Sequence, residues 1–104
     1  MNIRKSFYGK ELQKEHGRMT FGRFLISWRE SEELTQVAFS RKLGLSPANL
    51  CDLEQGRRIP SPTRAKKIAK RLGLPEMGLI ALALQDTLYE EGLRYSVRLE
   101  EEAA

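Results

Sequence analysis

Cysteine and histidine are nearly missing from this chain: its 104 residues hold Cys51 and His16 and no other of either type. A single cysteine excludes an internal disulfide, and a free thiol fits a reducing compartment. His16 lies in a polar stretch far from Cys51. No zinc-ligand spacing, glycine-rich phosphate loop or nucleophile elbow can be written from these residues. Enzyme chemistry is therefore not expected, and neither is a metal or cofactor. Long apolar runs are absent too. Nothing approaches the ~18 residues of a membrane span, and the N-terminus lacks the apolar core of a secretory leader. The expectation is a soluble, cytoplasmic protein with no membrane partner.

What is present is modest in size and basic. Hydrophobic residues make up 40% of the chain and charged residues 31%, enough for one domain with a small core. The net charge is +4 and the isoelectric point about 9.5, which favours a polyanionic partner. Seven cations and no acid lie between Gln55 and Pro75: Arg57, Arg58, Arg64, Lys66, Lys67, Lys70 and Arg71. Such a run is either a solvated face or a phosphate-attracting one.

The densest local signal is Leu34 to Gly56, LTQVAFSRKLGLSPANLCDLEQG. Thr35 can cap a helix in which Phe39 and Leu43 share a face, and Gly44 can end it in the left-handed conformation. Leu45 follows as an apolar plug. Ser46 then caps a second helix with Pro47 at its first position, where the missing N–H costs nothing. Leu50 and Leu53 point inward, while Pro47, Ala48, Asn49 and Asp52 share the opposite face. A rod of this length, held off the body by a short turn, fits a DNA major groove.

These residues resemble the helix-turn-helix domains of the Cro and lambda-repressor class of bacterial and phage regulators. The carriers are Leu34-Thr35-Gln36, Phe39, Leu43-Gly44, Ser46, Leu50, Leu53-Glu54, Gly56-Arg57 and Pro60-Ser61, within Phe21 to Leu74. The resemblance implies an all-α fold of five helices and a double-stranded DNA partner. It implies that Gln36 bonds a phosphate and buttresses the second helix, that Ser46 and Asn49 reach phosphate, and that Arg57 and Arg58 make backbone contacts. The family's base-reading positions fall on Pro47, Ala48 and Asp52. The first two could only pack on a thymine methyl. Asp52 could accept from cytosine N4, or pair with a neighbouring arginine and be structural. Glu54 is expected to cap or salt-bridge within the fold.

The flanks divide the chain into a lead-in (1–18), the helix-turn-helix domain (19–74) and a C-terminal unit (75–104). The lead-in is either loosely ordered, with a turn of helix near Gly9 to His16, or a basic arm along DNA or a partner. The first core helix is predicted from Thr20 to Glu30, with Phe21, Phe24, Leu25 and Trp28 on one face. A fourth begins at Ser61-Pro62 and carries Ala65, Ile68, Ala69 and Leu72. A fifth, from Pro75 to Glu91, is apolar well around its cylinder, which calls for more than one covering surface. Leu93 to Leu99 alternates apolar and polar residues with period two, as a strand does. One strand must pair with something. Leu84, Leu88, Tyr95 and Val97 are accordingly the candidate contacts of a homodimer or of a toxin protein. The leading expectation is a dimeric transcriptional repressor; the alternative is an antitoxin that binds a small toxin and autoregulates its operon.

Overall fold

The computed structural model describes residues 18–103, so the expected arm or helical turn before Arg18, and His16 with it, lies outside the described residues. Five helices follow in order: α1 (Phe21–Ser31), α2 (Gln36–Leu43), α3 (Pro47–Glu54), α4 (Pro62–Leu72) and α5 (Glu76–Glu90). The first four begin alike. The hydroxyls of Thr20, Thr35, Ser46 and Ser61 each accept from the backbone N–H three residues on, at 3.1 Å. Each satisfies a donor that the helix itself leaves unpaired, a contribution of about 1 kcal/mol per cap. α2 ends on Gly44 at φ 73°, as expected from the sequence. A side chain there would meet both the φ penalty and the Arg71 guanidinium, which donates to the carbonyl of Lys42 at 3.2 Å and closes the end of α2.

The core draws on every helix: Phe21 and Leu25, Phe39 and Leu43, Leu50 and Leu53, Ala65, Ile68, Ala69 and Leu72, Leu79 and Ala83. α5 packs chiefly on α4 and more lightly on α1, while α3 lies between α1 and α2. Gly22 lets α1 close on the end of α3. A Cβ there would run into the carbonyl oxygens of Leu53 and Glu54. Trp28, expected on the inward face of this helix, is half-buried, packs beside Phe24 with ring centroids 6.1 Å apart, and keeps a buried Nε1 without a hydrogen-bond partner among the described residues. No helix is long and apolar enough to cross a membrane, among the described residues.

α5 is held by polar residues as well as by apolar ones. The carboxylate of Asp86, 8% exposed, accepts from the backbone N–H of Phe21 at 2.9 Å and from Arg18 at 2.8 Å. An α5 carboxylate thus sits at the start of α1, where the helix dipole favours negative charge.

The expected strand at Leu93–Leu99 requires a correction. The chain reverses at Gly92, and the N–H of Leu93 donates to the carbonyl of Leu88 at 2.8 Å. Residues 93–103 then carry no ladder, because a single chain offers the segment no neighbouring strand. It is tied to α5 instead. The side-chain amide of Gln85 donates to the carbonyl of Tyr95 at 2.6 Å and accepts from the N–H of Val97 at 2.9 Å. Arg94 lies over the Tyr89 ring at 4.7 Å, and Arg18 lies over the same ring at 4.2 Å.

Candidate nucleic-acid interface

α3 stands with one face in the core and its first turn in solvent. Leu50 and Leu53 are buried, while Ser46, Pro47, Ala48 and Asn49 are all exposed. The inward pair anchors the rod. Among the described residues no other segment covers these four; of the predicted outward set, Pro47, Ala48 and Asn49 are exposed and Asp52 is half-buried. Ser46 spends its oxygen on the N–H of Asn49, leaving its hydroxyl hydrogen available. The exposed start of α3 is also its electropositive end.

A buried charge fixes how the rod is held. The side chain of Glu54, at the end of α3, is fully buried. Arg29 of α1 grips it with two donors, Nε at 2.7 Å and Nη2 at 3.2 Å, while a third donates to the carbonyl of Leu34 at 3.2 Å. Gln36, at the first residue of α2, donates to the same carboxylate at 2.7 Å. One carboxylate therefore joins α1, the start of α2 and the end of α3. The bond to Glu54 raises the Arg29 pKa further above its already high ordinary value, so the guanidinium stays charged at any physiological pH. Glu54 acts inside the fold, as expected. The two residues that hold it were not legible as its partners. Gln36 does buttress α3, through Glu54, and one hydrogen of its amide remains for another acceptor.

Beyond α3 the chain curls so that Arg57 and Arg58 both donate backbone N–H groups to the carbonyl of Asp52, at 2.9 and 3.3 Å. Their side chains return to the same residue. Arg57 Nε lies 2.9 Å from one carboxylate oxygen of Asp52, and Arg58 Nε lies 4.0 Å from the other. Arg57 also reaches the Cys51 sulfur at 3.4 Å. The contact with Asp52 raises the pKa of Arg57. Both arginines are well exposed, with side chains 59% and 69% accessible, so the cluster is a positive edge with one carboxylate inside it. Of the basic run, Arg71 is committed to closing α2, whereas Arg64, Lys66, Lys67 and Lys70 line the exposed side of α4.

Of the C-terminal candidates, Leu84 and Leu88 are half-buried on α5 outside the main core, Val97 is half-buried, and Tyr95 is 68% exposed. Sequence reasoning missed Asp86 and Gln85. Their signal was available: the polar run Gln85-Asp86-Thr87 interrupts the apolar middle of the helix.

Comparison with known proteins gives this geometry its context. Residues 25–79 match the helix-turn-helix family. The HTH-type transcriptional repressor RghR of Bacillus subtilis (strain 168) is 36% identical over 62 residues, which are 59% of this chain and 46% of that protein. The chain thus spans less than half the length of this curated relative. The matched segment covers α2, α3 and α4 and more than half the chain, so the chain belongs to the helix-turn-helix family.

Proposed function

We infer that this helix-turn-helix protein is a sequence-specific DNA-binding transcriptional regulator of a prokaryotic cytoplasm, acting as a repressor and as a two-fold dimer. The observation that carries the reading is the exposed first turn of α3, a helix whose other end is tied to α1 and α2 by the buried carboxylate of Glu54. In this reading α3 lies in the major groove, and the two α3 rods of a dimer sit about 34 Å apart. Gln36, Ser46 and Asn49 meet phosphate at the groove edge. Pro47 and Ala48 pack on thymine methyls, and the sequence-dependent shape of the duplex supplies further selectivity.

Asp52 then serves its arginines. A carboxylate reading cytosine would sit close to phosphates while both its oxygens already face Arg57 and Arg58. Holding the two guanidiniums at the end of α3 aims them at the backbone, where they position the domain without reading bases. The relative is a repressor by name, which favours regulation over toxin neutralisation for this chain.

A gel shift with the DNA upstream of the protein's own gene tests the reading. The wild type shifts it at low salt. Replacing both Arg57 and Arg58 by Ala weakens binding to all sequences and lowers the slope of affinity against salt by about one for each phosphate no longer neutralised, with the urea midpoint little changed. Absence of any shift at low salt would sink the regulator reading. A double variant that binds like the wild type would remove the two arginines from it.

A further inference from the structure

We propose that the segment after α5 is the dimer strand, and that it pairs antiparallel with the same segment of a second copy about an axis through Val97. The inference rests on the dimer reading above and adds the surface and the register. It begins with Gln85. A side-chain amide that bonds the carbonyl of Tyr95 and the N–H of Val97 takes the place of a neighbouring strand's peptide group, and it requires extended backbone between them. That uses one edge of the segment. The other edge carries the N–H and carbonyl groups of Arg94, Ser96 and Arg98, and none of these has a backbone partner among the described residues.

Side-chain pairing selects both the occupant and the register. With the axis at Val97, Arg94 of each copy lies opposite Glu100 of the other, Tyr95 opposite Leu99, Ser96 opposite Arg98, and Val97 opposite itself. Opposite charges face twice, and on the other face Tyr95, Val97 and Leu99 meet one another, with Leu93 opposite Glu101 only at the ends of the ladder. Shifting the axis to Ser96 sets Arg94 against Arg98 twice. Shifting it to Arg98 sets that arginine against itself and Tyr95 against Glu101. Shifting it to Leu99 sets Val97 against Glu101. The backbone agrees with the Val97 register. Because Gln85 holds Val97's N–H inward, Val97 must be a non-hydrogen-bonded pair across the axis, with the ladder running through Arg94, Ser96, Arg98 and Glu100. The exposed Tyr95 gains cover from Leu99 in the process.

A non-hydrogen-bonded antiparallel pair brings its Cα atoms to about 4.5 Å, within disulfide range. In the full chain with Cys51→Ser, adding Val97→Cys gives a covalent dimer under mild oxidation, while adding Ser96→Cys gives little, because its two copies face Arg98. Separately, Arg94→Glu and Glu100→Arg each weaken dimerisation, by about tenfold, and the two together restore it. Sedimentation equilibrium of the wild type separates the two levels of the reading. A wild-type dimer in which Val97→Cys fails to cross-link and the charge exchange fails to restore association overturns the strand and leaves the dimer. A wild type that stays monomeric in sedimentation, alone and on DNA, overturns both.

Discussion

The helix-turn-helix and the C-terminal unit use buried polar groups in opposite ways. At the end of α3, Glu54 is fully enclosed and saturated by Arg29 and Gln36, so a single carboxylate makes three helix ends one rigid body. On α5, Asp86 accepts from the Phe21 N–H and from Arg18 at the start of α1, and Gln85 bonds Tyr95 and Val97 in a segment that belongs to no ladder. The first arrangement satisfies the buried carboxylate and presents a fixed rod. The second leaves a backbone edge open. A surface that must enter a groove of given width benefits from the first, and a surface completed by another chain can tolerate the second.

Substitutions can break this contrast. Glu54→Ala has the largest effect, because it leaves Arg29 partly buried without its partner. Unfolding free energy falls by about 3–5 kcal/mol in a urea titration, a large share of what a small domain has. Asp86→Asn keeps an acceptor for the Phe21 N–H and loses only the ion pair with the partly exposed Arg18, so the same titration shows a fall of about 1 kcal/mol. If Asp86→Asn proved as costly as Glu54→Ala, the two regions would not differ in the way described. Gln85→Ala changes least, less than about 1 kcal/mol in the isolated chain. Its signature is local: amide exchange at Val97 accelerates while the amide of Leu50 in α3 stays protected.

Much of the fold was legible because its determinants act within a turn or two of chain. The repeated Ser-Pro starts at Ser46 and Ser61, the start at Thr20, the cap at Thr35 and the stop at Gly44 each fall within a residue or so of the helix ends found. The inward Leu50 and Leu53 and the outward Pro47, Ala48 and Asn49 follow from helical periodicity alone. The alternation in Leu93–Leu99 signalled extended backbone but could not say what would lie beside it. Asp52 left two readings open in the sequence, because only the curl of residues 55–58 brings both arginines back over its carboxylate.

Capping, helix termination and amphipathic faces are thus written in the order of residues, since each depends on neighbours three or four positions away. The partners of the buried polar groups are not. Arg29 meets Glu54 across 25 positions, Gln36 meets it across 18, and Phe21 meets Asp86 across 65. Each meeting depends on how whole helices pack, down to the missing side chain of Gly22 that lets α1 close on the end of α3. A buried carboxylate must find compensation somewhere, and only the packing of the helices decides where that is.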